Sequence, residues 1–233
     1  MEIAKNLNDF AKMPIEKRRN IYVPLSLRRE IPTKDCGEEL VGVEKFFTIN
    51  NQKIFLSPVW NKKDIPEMLL RRSVIEKLLK ISGKIDKKYF FKITDAYRPI
   101  SLQKKLFQQV CGEVRLENNQ LSEEEIKTRA RRFVADPDFG VPPHSTGGAV
   151  DLTLVDKLGN ELDMGTKIDA LDDKVETFSD KITFSQITNR KFLLDIMESE
   201  GFVNLASEWW HYSYGDQYWA AFHGKQAAIY GSL

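Results

Sequence analysis

A chain of 233 residues can bury one sizeable core or two small ones, and its 42% hydrophobic and 30% charged content is ordinary for a soluble globular protein. The formal net charge of +1 excludes a global field that would draw it to nucleic acid. No run of about eighteen apolar residues occurs, which excludes a membrane-spanning helix.

Residues 1–35 are polar and punctuated by Pro14, Pro24 and Pro32. They read as an arm with one short helix, packed on a body formed by residues 36–233. The opening Met1-Glu2-Ile3-Ala4-Lys5-Asn6 lacks the apolar core of a signal peptide, so a cytoplasmic location is expected unless a leader has been removed. The basic clusters Lys17-Arg18-Arg19 and 129–132 are interrupted by acids and read as solvated helix faces. The two cysteines, Cys36 and Cys111, show no metal-binding spacing and read as free, buried thiols in a reducing compartment.

Residues 41–49 and 53–59 are rich in β-branched and aromatic side chains around Asn50-Asn51, which predicts a hairpin. Asp64-Ile65-Pro66-Glu67 suits a helix start, and Leu69, Leu70, Val74, Ile75, Leu78 and Leu79 form a helical apolar stripe up to Gly83. Residues 89–94 predict a buried strand. Pro99 cannot continue a strand ladder but can begin a helix, which puts Arg98 at the strand end and a helix over 100–112. Ser122-Glu123-Glu124-Glu125 is a capping box for a helix to about Val134.

A turn-rich loop over 136–143 leads into His144-Ser145-Thr146-Gly147-Gly148-Ala149-Val150-Asp151, followed by a strand to Val155. The segment 162–180 is irregular, and a loop of that length in a compact domain tends to be functional. A helix is predicted over 189–201, strands at 202–203 and 208–214, and an aromatic closing strand or helix in the tail.

The chemistry concentrates in two stretches. His144 precedes Asp151 by seven residues, and Glu208-Trp209-Trp210-His211 adds an imidazole and a carboxylate. A catalytic zinc takes three protein ligands and keeps one position open. The chain has only three histidines, His144, His211 and His223, and Ala220-Ala221-Phe222 offers His223 no acid. His144, Asp151 and His211 are therefore the candidate zinc ligands, with one ion per chain. Zinc would lower the pKa of water toward about 7.

Glu208 fits a fourth ligand or, better, a general base. In an extended strand, positions 208 and 211 would point to opposite faces, so a bend between them is required. Arg98 is the candidate electrophile, able to hold a developing oxyanion or a substrate carboxylate, with Asp95 beside it as an orienting group. Each residue alone has a plainer explanation. His144 fits a hydrogen-bonded loop histidine and Asp151 a turn cap. Glu208 and His211 fit a surface pair, and Arg98 a structural ion-pair residue.

At these residues the sequence resembles the zinc D-alanyl-D-alanine dipeptidases, the VanX-like group of the D-Ala-D-Ala metallopeptidases. That family carries S-x-H-x-x-G-x-A-x-D, matched by His144, Gly147, Ala149 and Asp151, and E-x-W-H, matched by Glu208, Trp210 and His211. Asp95-Ala96-Tyr97-Arg98-Pro99 resembles its D-x-Y-R-P, and Met164-Gly165-Thr166-Lys167-Ile168-Asp169 its M-G-x-x-F-D. The resemblance covers about residues 85–215, with the motifs in family order.

The resemblance implies an α+β fold in one domain, with a central, mainly antiparallel sheet flanked by helices and a zinc cleft on the sheet. It implies hydrolysis of D-alanyl-D-alanine, a small dipeptide, with Arg98 stabilising the transition state and Asp169 holding the free α-amine. Pro142 replaces the family serine and Ile168 its phenylalanine, which leaves the exact dipeptide preference open. A carboxypeptidase acting on peptidoglycan stem peptides and a non-catalytic zinc-binding module are the competing expectations.

Overall fold

The computed structural model describes residues 2–131, 133–170 and 172–233; Met1 and Arg132 of the opening segment and the second basic cluster lie outside the described residues. The chain begins with β1 (Glu2–Ile3), α1 (Leu7–Lys12), α2 (Ile15–Arg18), β2 (Ile21–Tyr22) and α3 (Leu25–Arg28). Next come β3 (Leu40–Gly42), α4 (Val43–Ile49), β4 (Phe55–Leu56), β5 (Leu69–Arg71) and α5 (Arg72–Lys84). β6 (Phe90–Asp95), α6 (Ile100–Glu117) and α7 (Glu123–Ala130) follow, then a 3-10 turn (Pro143–Thr146) and β7 (Ala149–Val155). A second 3-10 turn (Asp173–Val175), α8 (Phe184–Glu198), β8 (Val203–Asn204), β9 (His211–Ser213) and α9 (Gln217–Phe222) complete the order.

The central sheet has five strands in the order β4-β6-β7-β9-β8. Only the β4–β6 pair is parallel. The fold is therefore α+β with a mainly antiparallel sheet. β7 lies at its centre and is buried along its whole length. Val150, Leu152 and Leu154 share one face by the two-residue period of a strand and join the main core. Val74, Ile75, Leu78 and Ile81 of α5 and Leu193, Leu194 and Met197 of α8 belong to that same core. Each such side chain contributes about 1.5–3 kcal/mol when fully buried. Asp151 alternates with Val150 and Leu152 and so faces the other way.

Several local expectations are corrected. Residues 41–59 form no hairpin: β3 pairs with β5, and β4 pairs with β6. Val43 and Phe47 stand four residues apart and bury together as one face of α4, so helical spacing prevailed over β-propensity. The helix expected from Asp64 starts at Arg72, because Leu69 and Leu70 are taken by β5. α8 starts at Phe184, five residues before the expected start, under a capping box of Thr183 and Gln186. The arm carries three short helices instead of one. Its Phe10, Ile21 and Val23 form a second core with Tyr218, Ala221 and Phe222 of α9. Of the two thiols, Cys111 is buried but Cys36 is exposed.

One buried cation ties remote segments together. Arg71 is 1% exposed and donates from Nε to Thr146 O at 2.8 Å and from Nη2 to Asp35 Oδ2 at 2.6 Å. It also donates to Glu38 O and, at 3.3 Å, to Gly231 O. Burial would raise the Asp35 carboxyl. Hydrogen bonds from the Gly231 and Gly37 amides and the Arg71 charge outweigh it and hold the group below its ordinary 3.8. The stability this pair supplies is present above that ordinary value and is lost as pH falls through the lowered one. Removing the guanidinium takes the donor from the Thr146, Glu38 and Gly231 carbonyls, while Asp35 keeps its two amide donors. Arg71→Ala should therefore destabilise the protein by about 1–3 kcal/mol in urea unfolding at neutral pH.

Candidate metal centre

The centre is built on one row of the sheet. The β6–β7 register runs Ile93↔Leu152 and then Asp95↔Asp151, so β6 carries one extra residue as a bulge. The bulge places Asp95, not Thr94, opposite Asp151. On the other side β7 and β9 pair Asp151 with His211. Asp95, Asp151 and His211 thus stand abreast on three neighbouring strands.

His144 reaches this row from the 3-10 turn before β7. Its Nδ1 is 2.8 Å from Ala96 O, and its own carbonyl accepts from the Arg98 amide at 3.1 Å. The first contact makes Nδ1 the protonated nitrogen and turns Nε2 toward Asp151. Two glycines make this approach possible. Gly147 closes the turn at φ +70°, a conformation favoured by glycine, and a Cβ on Gly148 would stand 2.3 Å from Tyr214 O. The Tyr214 amide donates to Gly148 O at 2.8 Å, so the backbones meet there directly.

The donor atoms converge. His144 Nε2 lies 3.3 Å from Asp151 Oδ2 and 3.2 Å from His211 Nδ1, and His211 Nδ1 lies 2.8 Å from Asp151 Oδ1. All three residues are buried, and their ligating atoms lie within 4.8 Å of one another. Tetrahedral donors about 2.0–2.1 Å from a zinc ion stand roughly 3.3 Å apart. The spacing and the N,O,N donor set fit that ion. On the far side of His211, Nε2 is 3.3 Å from Ser213 Oγ, which donates to Asp216 Oδ2 at 2.7 Å. This relay occupies Nε2 and leaves Nδ1 facing His144 and Asp151. Ser213 and Asp216 went unnoticed in the sequence, although the two-residue strand period from His211 points to Ser213.

The electrostatics match a cation seat. Burial alone would lower His144, but the charges of Asp151 and Asp95 push it up to about 9. Burial would raise Asp151, but His144 and His211 outweigh it and hold the carboxyl well below its ordinary range. Without a cation, this carboxylate favours a proton on His144.

The required bend before His211 is a double turn. The Glu208 amide donates to Leu205 O at 2.8 Å, and the His211 amide to Glu208 O at 3.2 Å. Asn204 Nδ2 braces the turn by donating to Glu208 O at 3.0 Å and His211 O at 3.0 Å. Glu208 itself is partly buried. Burial first, then the charges of Asp151 and Asp169, raise its pKa, against His211 and His144. Its carboxyl therefore sits within electrostatic reach of the centre.

Arg98 is fixed from several sides. One Nη pairs with Asp95, and the other donates to Gln103 Oε1 at 2.8 Å. The guanidinium lies 4.6 Å from the Trp60 ring centroid. Gln103 is in turn held by Ala135 O at 2.7 Å. Trp60 and Gln103 carry no motif, and nothing in the sequence pointed to them. Asp169 occupies the left-handed region at φ +58° and remains exposed. Its carboxyl is pushed up to about 6, first by desolvation and then by the charges of Asp151 and Asp95. His223 lies outside the cluster, with its ring edge-on to Trp219 and Phe222.

The family model described as D-ala-D-ala dipeptidase, Peptidase_M15, matches residues 58–228. A D-alanyl-D-alanine dipeptidase of Synechocystis is 33% identical over 223 residues, covering 84% of this chain and 90% of the relative. One from Escherichia coli is 35% identical over 120 residues, about half of each chain at 52%. Among solved structures, a zinc complex of a variant of the vancomycin-resistance D,D-pentapeptidase VanY is similar at a TM-score of 0.40 and 15% identity, covering 74% of this chain and 86% of that one. Among the described residues, no helix is long and apolar enough to cross a membrane.

Loading the centre must expel the proton that His144 holds below about pH 9. Zinc binding at neutral pH should release protons, and affinity should weaken as pH falls. Calorimetric titration in buffers of differing ionisation enthalpy measures this. A binding heat independent of the buffer would contradict it.

Proposed function

The chain belongs to the Peptidase_M15 family of D-Ala-D-Ala dipeptidases, and on that premise we propose that it hydrolyses D-alanyl-D-alanine to two D-alanines with zinc held by His144, Asp151 and His211. The observation that carries this reading is the convergence of two imidazole nitrogens and a carboxylate on one buried point; Glu208 within electrostatic reach and Arg98 held by Asp95 and Gln103 support it. Zinc, when bound, supplies Lewis acidity that acidifies water and polarises a carbonyl.

The remaining work falls to side chains. Glu208 takes a proton from the attacking water and passes it to the leaving amine. Its raised pKa suits both steps, since a base poised closer to neutrality is also a competent acid. Arg98 holds the negative charge that develops on the scissile carbonyl oxygen. Asp95, Gln103 and Trp60 fix its guanidinium in advance, so little reorganisation is needed at the moment of reaction.

Asp169 binds the free α-ammonium of the dipeptide. A substrate acylated at that nitrogen brings no positive charge for the carboxylate to hold, which sets the length limit. A structural zinc site needs neither a base nor an oxyanion clamp, and the presence of both favours turnover over a binding module.

Glu208→Ala should keep zinc and lose at least about a hundredfold in kcat, the lower end of general-base contributions. A release assay for D-alanine, run with and without a chelator and paired with metal analysis, measures both. Full activity in the variant, or in the chelated wild type, rules the mechanism out. Asp169→Ala should retain zinc and lose discrimination between D-Ala-D-Ala and its N-acetyl form. Equal wild-type rates on the two substrates would refute the amine anchor.

A further inference from the structure

The segment that carries Asp169 leaves the sheet region at Met164 and returns at Glu176, with both feet meeting the same side chain. Arg190 of α8 is 2% exposed and donates from Nε to Met164 O at 2.7 Å and from Nη1 to Glu176 O at 2.6 Å. Its guanidinium lies 5.7 Å from the Trp209 ring centroid. Trp209 follows Glu208 directly, and its own contacts run back to the same segment. Trp209 Nε1 donates to Thr166 Oγ1 at 2.8 Å, and its amide donates to Val175 O at 3.1 Å. The Thr177 amide donates to Ala206 O at 3.0 Å, on the far side of the Glu208 turn. Asn189, the neighbour of Arg190 on α8, donates to Asp163 O at 2.8 Å.

We propose that Arg190 is a positioning residue for substrate discrimination, stapling both feet of the Asp169 segment and locking them through Trp209 to the turn that carries Glu208. This inference rests on the amine-anchor role of Asp169. A planar guanidinium can direct two N–H groups at two carbonyls in a fixed fork, whereas a lysine ammonium on its flexible stem cannot hold that geometry. Asp169 sits between the two feet at φ +58°, in the left-handed region, so its placement depends on how the segment's ends are held. The distance between amine anchor and base is then set by one buried side chain that touches neither substrate nor metal. That distance measures the dipeptide.

The test compares wild type with Arg190→Lys, Thr166→Val and Asp169→Ala. Each is assayed for zinc content, thermal unfolding, and kcat/KM on D-Ala-D-Ala and on its N-acetyl form. Arg190→Lys should keep zinc and lose on the order of ten- to a hundredfold on the free dipeptide, the scale of ångström misplacement. It should lose little on the acetylated one, so the ratio collapses. Thr166→Val should move the ratio in the same direction by a smaller factor, and it decides the matter if Arg190→Lys does not fold. Parallel losses on both substrates, with the ratio unchanged, would assign Arg190 a purely structural role and overturn the proposal. A ratio unmoved in Asp169→Ala overturns the amine anchor itself, and the staple falls with it. A ratio moved there but not in the other two variants overturns the staple alone.

Discussion

A carboxylate almost wholly removed from solvent must be given a positive partner, and the interior of this protein is arranged around that demand at Asp151. The strand that carries it is buried end to end, so solvation cannot help. Compensation comes from two imidazoles delivered by different routes. One stands directly across the sheet on β9, and the other comes from the turn that precedes β7. The seat is thus preorganised by the sheet's register and by a single tight turn. A divalent cation seated between them would balance the Asp151 charge directly.

Around this seat the chain uses buried hydrogen-bonding residues in a consistent way. Arg71 reaches the carbonyl of Thr146 behind the His144 turn, and Asn204 braces the Glu208 turn. Ser213 and Asp216 lie behind His211. Each of these groups meets the backbone or the rear of a side chain at the candidate centre, leaving its front free. Such supporting contacts are what hold turns and strand ends to a narrow geometry.

Much of the centre was legible because its parts sit in short, chemically distinctive stretches. His144, Asp151 and His211 could be picked out from the scarcity of histidine and the nearness of carboxylates. The capping box at Ser122 and the α5 stripe were legible because local spacing decides them. The hairpin expected over 41–59 failed because its strands find partners far along the chain, at 69–71 and 90–95, and pairing at a distance leaves no local mark. The start of α8 was missed because Thr183-Phe184-Ser185-Gln186 has a capping signal but an exposed aromatic at its first position. Trp60, Gln103 and Asn204 were invisible for another reason. They are seen only through their contacts to Arg98 and to the Glu208 turn, and no residue type or spacing announces such a contact.

The extra residue in β6 separates two duties that one strand would otherwise confuse. Up to Ile93 the alternation serves the hydrophobic interior, with Phe91 and Ile93 turned inward. Beyond it the phase is reset, and Asp95 answers to Asp151 and Arg98 instead. A swap among the inward aliphatic groups upstream can therefore be absorbed without rotating the acid below. The interior of this enzyme can drift in evolution while its reaction chemistry keeps its own phase.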